Sequence, residues 1–281
     1  MSGSTRNRRK QMLDNDKVAG VGTAVALEAG GLLMSLFRRP LEVSHKGEIN
    51  LVTEADLAAE ALIIRRLSEE FPGHGVLAEE THAQGERRPQ RWIIDPLDGT
   101  TNYAHGLPVF CVSLALETDG IVEWGVVYNP CLDEMYTARR GEGAFLNGSP
   151  LRVSAVCDLG ASLLATGFPY DIRSGRGTNL DYFAEFALRS LAIRRFGSAA
   201  LDLCYVAAGR FDGFWELKLH PWDCAAGYLI VREAGGRVTN FLGEPGSIYE
   251  QECVASNALI HDQMLGVIRE VAGGGLRPLP A

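Results

Sequence analysis

Three short segments hold the residues able to do chemistry. The first is Ala78-Glu79-Glu80-Thr81, two adjacent acids after a short apolar stretch. The second is Trp92-Ile93-Ile94-Asp95-Pro96-Leu97-Asp98-Gly99-Thr100-Thr101-Asn102, and the third is His220-Pro221-Trp222-Asp223-Cys224-Ala225-Ala226-Gly227. In the second, an apolar strand runs into Asp95, and Pro96 stiffens a turn that brings Asp98 back beside it. Paired carboxylates at a strand end can bind a hard divalent cation, and an oxygen-only set without His or Cys favours Mg²⁺ or Mn²⁺ over zinc. Two like charges ~4 Å apart repel by about 4 kcal/mol at an effective dielectric of roughly 20, so acids converging here imply a metal.

Gly99-Thr100-Thr101 follows the second acid directly. Glycine allows close backbone approach, and a helix starting there offers free N–H groups to an anion. Acids that hold a metal beside N–H groups that hold an anion form a site for a phosphate ester. In the third segment Pro221 suits a first helical turn, Asp223 sits near the positive end of that helix, and Gly235 suits its C-terminal cap. A further helix start falls at Gly197-Ser198-Ala199. Taken singly, each feature has an ordinary explanation: Asp223 as a capping acid, Glu79-Glu80 as a solvated pair, Thr100 as a cap, and Asp-x-x-Asp-Gly-Thr as a surface turn. The combination is what is specific.

Other chemistries lack their residues. There is no Walker A sequence, no His-Glu-x-x-His and no Gly-x-Ser-x-Gly. The six cysteines, Cys111, Cys131, Cys157, Cys204, Cys224 and Cys253, include no Cys-x-x-Cys pair and read as buried small hydrophobes. The six histidines show no ligand spacing. Trp92 and Trp222 read as packing supports and His220 as a packed loop residue. Hydrophobic residues make up 46% and charged residues 22%, the balance of a folded, water-soluble protein. A formal charge of −8 opposes general attraction to nucleic acid or to an anionic membrane. No apolar run is expected to reach the ~18 residues that span a bilayer. The basic start lacks a signal peptide's apolar core, so a cytoplasmic location is the expectation.

These segments need elements to position them. Apolar spacing predicts one helix from Val18 to about Arg39 and a second from Asp56 to Phe71. A β-branched, aromatic middle predicts a meander of Val109–Glu117, Ile121–Tyr128 and Glu134–Ala138, continued near Ala144–Leu146 and Leu151–Val153 around Asn147-Gly148. Beyond Ala161–Thr166 come helices over Leu180–Arg189, Ala199–Ala208, Pro221–Ala234 and about Ala258–Val271, with strands at Ala192–Arg195 and Gly213–Leu217. The order suggests layered helix and sheet, α+β or α/β.

The sequence resembles the inositol monophosphatase family, the lithium-sensitive, magnesium-dependent phosphatases that include fructose-1,6-bisphosphatases and bisphosphate nucleotidases. The resemblance runs from about Val18 to Val271. Besides the three segments it includes Leu51-Val52-Thr53-Glu54-Ala55-Asp56, Gly167-Phe168-Pro169-Tyr170 and Phe196-Gly197-Ser198-Ala199-Ala200-Leu201-Asp202-Leu203. It implies a layered αβαβα sandwich, assembled as a homodimer. It divides the chain into a flexible segment 1–16, a phosphatase unit 17–272 of two fused lobes (about 17–155, α+β and metal-binding; about 156–272, α/β) and a Gly/Pro tail 273–281.

The resemblance also implies two or three Mg²⁺ ions, with Mn²⁺ as a substitute and Li⁺ as an inhibitor. Glu79, Asp95 and the Leu97 carbonyl would hold one ion, Asp95, Asp98 and Asp223 a second, and Glu79 with water a weaker third. Thr100, bonded to Asp56, would orient the attacking water with Glu79, and Glu80 would support them. Gly99 and Thr100 would offer N–H groups to the phosphate; Gly197, Ser198, Ala199 and Glu216 would meet the alcohol part. Lys46 lies one residue nearer the Leu51 segment than the equivalent lysine of the animal enzymes, and stays outside the site. The implied substrate is myo-inositol 1-phosphate or a similar small polyol phosphate. Fructose 1,6-bisphosphate, histidinol phosphate and a 3′-phosphorylated adenosine nucleotide are the competing esters. A different class is a binding partner of the transcription machinery, through RNA or RNA polymerase, for which only Arg6, Arg8, Arg9 and Lys10 speak.

Overall fold

The computed structural model describes residues 2–39, 43–45, 51–81, 88–175 and 177–275, with side chains from residue 16 onward except at 43 and 45. Lys46, the side chains of Arg6, Arg8, Arg9 and Lys10, and most of the tail lie outside the described residues. Helix α1 (Ser2–Leu36) is followed by β1 (Val43–His45), β2 (Leu51–Thr53), α2 (Glu54–Glu70), β3 (Gly75–Ala78), β4 (Gln90–Asp98) and α3 (Thr100–Ala104). The meander is β5 (Cys111–Thr118), β6 (Ile121–Asn129), β7 (Glu134–Arg139), β8 (Gly143–Leu146) and β9 (Ser149–Pro150). Then come β10 (Leu163–Thr166), α4 (Leu180–Ala187), β11 (Ala192–Arg194), α5 (Ala199–Ala207), β12 (Gly213–Leu217), α6 (Pro221–Glu233), β13 (Arg237–Thr239), β14 (Glu252–Ser256) and α7 (His261–Ala272).

Two sheets organise the chain. The seven-stranded sheet runs β3-β4-β5-β6-β7-β8-β9, with β3 and β4 parallel and the rest antiparallel. The five-stranded sheet runs β11-β10-β12-β14-β13, parallel in its first three strands and antiparallel beyond. Helices α1 and α2 pack on one face of the larger sheet, and α5 and α6 lie between the two sheets. Helices α4 and α7 pair beyond the smaller sheet, with α7 against β14. Three apolar cores hold these layers together: one under α1 and α2, one spanning α5 and α6 with the inner faces of both sheets, and one under α4 and α7. The result is the expected αβαβα sandwich.

Several expectations are corrected. The first helix begins at Ser2, not Val18. Its stretch Asp16–Leu36 does have the length and apolar character to cross a bilayer. The described packing accounts for that character: Val25, Ala26, Ala29 and Leu33 are fully buried in the core against α2 and the large sheet. The strand after Asn147-Gly148 is Ser149–Pro150 rather than Leu151–Val153. Helix α7 starts at His261 because Ala258 takes a left-handed conformation, φ 70°, that no right-handed helix continues through. All six cysteines are free and four are buried, but Cys131 is half-buried and Cys157 exposed.

Candidate active site

Asp95 and Asp98 share strand β4, opposite Ser113 and Cys111 of β5, with a register shift between them. Three residue steps on β4 thus face two on β5. The extra residue falls at Pro96-Leu97, where proline has no N–H for the ladder. Residues three apart on a regular strand face opposite ways; the bulge returns Asp98 to the face of Asp95. The expected turn is therefore a bulge inside a continuing strand. Beyond it Gly99 adopts φ 99°, and a β-carbon there would lie 2.8 Å from the Val109 carbonyl oxygen, so only glycine fits. Helix α3 begins next, and its first N–H groups have no intrahelical acceptor.

Helix α2 supplies the support. Thr53 caps it, and Asp56 Oδ2 accepts both the Thr53 N–H (2.9 Å) and the Thr53 hydroxyl (2.5 Å). The other oxygen of Asp56 accepts the Thr100 hydroxyl at 3.0 Å; Thr100 Oγ1 also lies 3.1 Å from the Leu97 carbonyl oxygen. One helical turn on, the buried Glu60 carboxylate accepts the N–H of Glu80 (2.7 Å) and of Thr81 (2.9 Å). Glu60 thus fixes the turn carrying Glu79 and Glu80. Sequence reasoning missed it, although Asp56 and Glu60 stand four apart on the buried stripe of α2 with Ala59 and Ile63.

The remaining site groups come from two helix starts. Asp223 Oδ2 takes the His220 N–H at 2.6 Å at the beginning of α6. Ser198 caps α5, accepting the Leu201 N–H, and donates its hydroxyl to Asp98 Oδ2 at 2.7 Å, where the Ala200 N–H also arrives at 2.7 Å. Ser198, expected to meet the alcohol part, therefore has its hydroxyl engaged with Asp98. A cavity of about 750 Å³ brings together Glu79, Glu80, Asp95, Leu97, Asp98, Gly99, Thr100, Gly197, Ser198, Ala199, Glu216 and Asp223. Asp56 lies behind it, reaching it through Thr100. The cavity also takes in Phe168, Pro169 and Tyr170, and three charged groups not foreseen as site residues, Arg195, Asp202 and Lys218, the last paired with Asp171 at 2.6 Å. Gly167 backs onto Glu216: a β-carbon at 167 would sit 2.0 Å from Glu216 Oε1. Trp92 is buried edge-on to Trp124, as a packing support should be. Trp222 and His220 instead stack on each other, 4.9 Å apart, at the cavity wall.

Crowded acids raise one another. Burial, then Glu79, Asp98 and Asp223, hold the Asp95 carboxyl well above the usual carboxylate range. Burial and Glu79 do the same to Asp223. Asp98 is pushed to about 6 by burial, against the pull of its bonds from Ser198 and Ala200. Burial raises Glu216 to about 8, with Arg195 opposing.

Among the described residues none of Asp95, Asp98 and Asp223 is in an ion pair, and no three ligand-type side chains already close on one point. The described anchors of Asp95, Asp98 and Asp223 engage one oxygen each: Asp95 Oδ1 takes the Leu97 N–H at 3.0 Å. Buried Asp95 and half-buried Glu79, Asp98 and Asp223, mutually repelling oxygen-only donors, fit a hard divalent cation in kind.

Comparison with known proteins gives a consistent answer. The profile of the inositol monophosphatase family matches residues 14–272. An inositol-1-monophosphatase of Mesorhizobium japonicum is 45% identical over 248 residues, covering 87% of this chain and 93% of that one. The Nus factor SuhB of Escherichia coli is 42% identical over 260 residues, 92% and 97% of the two chains. The solved inositol monophosphatase of Anabaena superposes with a TM-score of 0.84 at 38% identity, covering 95% of this chain and 98% of that chain.

Proposed function

Because the chain belongs to the inositol monophosphatase family, whose members are metal-dependent phosphatases of small phosphorylated molecules, we propose that it is a Mg²⁺-dependent phosphomonoesterase of myo-inositol 1-phosphate or a related polyol phosphate. The observation that carries this reading is the gathering of Asp95, Asp98, Asp223 and Glu79 around one cavity, beside the backbone of Gly99 and Thr100.

Glu79, Asp95 and the Leu97 carbonyl would hold one ion, and Asp95, Asp98 and Asp223 a second; Glu79 with water would hold a weaker third. When bound, Mg²⁺ supplies an acidified water and neutralises phosphate charge, and Mn²⁺ would substitute. The protein's part is positioning, since phosphoryl transfer asks little covalent chemistry of it. Thr100, held by Asp56, orients the attacking water with Glu79, while Glu80 supports the turn. The N–H groups of Gly99 and Thr100 receive phosphate oxygens. Gly197, Ala199 and Glu216 meet the alcohol portion, and Ser198 acts there mainly by holding Asp98. Two fused lobes, about 17–155 and about 156–272, form the unit; the strands of the large sheet come from the first and those of the small sheet from the second. A homodimer in the cytoplasm is the expected state.

Phosphate release from myo-inositol 1-phosphate tests the reading, with Mg²⁺ titrated in and then stripped by EDTA. Fructose 1,6-bisphosphate, histidinol phosphate and a 3′-phosphorylated adenosine nucleotide are run in parallel. Metal-dependent turnover preferring the inositol ester is expected, with inhibition by millimolar Li⁺. Activity confined to another ester keeps the site and replaces the substrate.

A second reading is favoured by the likeness to a Nus factor over nearly the whole chain: association with the transcription machinery, through RNA polymerase or RNA. Binding retained by Asp95→Asn, without hydrolysis, would support that separate role; no binding by either form removes it.

A further inference from the structure

Asp202 sits in the first turn of α5. It is not needed as that helix's cap, because Ser198 fills that role. Its side chain is only 1% exposed, yet it belongs to the wall of the cavity. Among the described residues nothing donates a hydrogen bond to its Oδ1, although buried polar atoms of folded proteins are almost always partnered. It lines the same cavity as Ala199 and Glu216, the groups assigned to the alcohol portion, and Glu216, Asp98 and Arg195 are the charged groups that act on it most strongly. Burial among acids favours its protonated form, so the group can both give and accept a hydrogen bond. An acid of this kind at a cavity wall, with no donor to Oδ1 among the described residues, is suited to a hydroxyl that arrives with a ligand.

We propose that Asp202 is a specificity-determining residue at the alcohol end of the cavity, its carboxyl taking one ring hydroxyl while Glu216 takes its neighbour. The chemical class selected is a phosphate ester of a ring carrying adjacent hydroxyls. A three-carbon ester such as glycerol 2-phosphate occupies the metal end and has no ring to reach Asp202. This inference rests on the phosphatase reading.

The test compares kcat and KM for myo-inositol 1-phosphate and glycerol 2-phosphate at saturating Mg²⁺. Loss of one buried hydrogen bond predicts that Asp202→Ala raises KM for the inositol ester about tenfold. KM for glycerol 2-phosphate should stay within about twofold of wild type. Asp202→Asn, which keeps an acceptor and a donor, should restore most of the loss. Should Asp202→Ala not be recovered folded, Asp202→Ser serves the same comparison. Equal effects on the two esters, no effect on the inositol ester, or an Asn variant no better than Ala would overturn the inference alone. A wild-type protein inactive on both esters refutes the phosphatase reading and this inference with it.

Discussion

Asp56 divides its carboxylate between two parts of the chain: one oxygen closes the cap of α2 on Thr53, and the other accepts the Thr100 hydroxyl at 3.0 Å. Removing the Thr100 hydroxyl should therefore remove water orientation without unfolding α2. Thr100→Val is expected to lower kcat by roughly 10²-fold or more with KM nearly unchanged, and Thr100→Ser to stay within about tenfold of wild type. Steady-state kinetics on the preferred ester decide this; equal rates for the Val and Ser variants would contradict it.

Glu60 binds two backbone N–H groups of the turn that carries Glu79. Glu60→Ala should loosen that turn and raise the Mg²⁺ concentration for half-maximal activity by about tenfold, while saturating Mg²⁺ recovers most of kcat. Each lost hydrogen bond to a charged acceptor is worth about 1.5–3 kcal/mol, so a drop in melting temperature accompanies the change. An unaltered Mg²⁺ titration would show that the turn holds itself.

Asp95 is central to the charge crowding. Asp95→Asn keeps the oxygen that receives the Leu97 N–H but removes the charge. Turnover should fall by at least about 10³-fold if Asp95 is the shared ligand of the proposed two-ion site. The metal-free variant should nevertheless melt about 2–4 °C higher than metal-free wild type, the shift of a ~1 kcal/mol gain in a chain of this size. Mg²⁺ should raise the melting temperature of wild type and much less that of the variant. Asp98 adds a pH signature: its folded-state value of about 6 exceeds its ordinary 3.8, so its contribution is greatest below 3.8 and is lost as pH rises through 6. A melting series without metal should show this decline, and one with Mg²⁺ should not.

His261 works in the opposite direction. It is wholly buried between the Thr239 hydroxyl (2.9 Å) and the Ser256 hydroxyl (2.8 Å), and burial lowers its value from 6.5 to about 4. The unfolded chain takes up this proton first, so stability is complete above about 6.5 and falls as pH drops toward 4. The full effect is on the order of 3 kcal/mol, the difference of about 2.5 pH units converted at 1.36 kcal/mol each. Melting with Mg²⁺ present suppresses the opposing slope expected of Asp98, and the difference from His261→Gln isolates the histidine. His261→Gln should flatten the profile between pH 4 and 6.5, and an unchanged acid slope would assign it elsewhere.

The residue pattern located α2, α5 and α6 and the strands of the meander within a few residues: α2 buries one face and writes that spacing into the chain, while α5, α6 and β5, buried on nearly every side, show as apolar runs closed by turn and cap residues. It could not place the bulge at Pro96-Leu97, which depends on the register of β5. Nor could it separate Leu151–Val153 from a strand, since β-branched residues also pack in extended loops. The acids of the site were legible as a constellation. Glu60 and Asp202 were not, because on a helix a charge facing inward looks the same in sequence as one facing water; Arg195, exposed just beyond β11, joins the cavity only through the way distant segments meet. Ser198 shows the converse: its position beside the cavity was foreseen, but its hydrogen bond to Asp98 depends on how two distant segments meet.

Helix α2 carries both Asp56 and Glu60. Through the first it sets Thr100, and through the second it sets the turn of Glu79, so two groups from separate loops are measured from one rod. Each is also tied to β4, Glu79 through its N–H to the Ile94 carbonyl oxygen at 3.2 Å and Thr100 to the Leu97 carbonyl oxygen at 3.1 Å. The two groups are thus surveyed from two fixed baselines, one helix and one strand, and a change in either baseline alone leaves the other holding them.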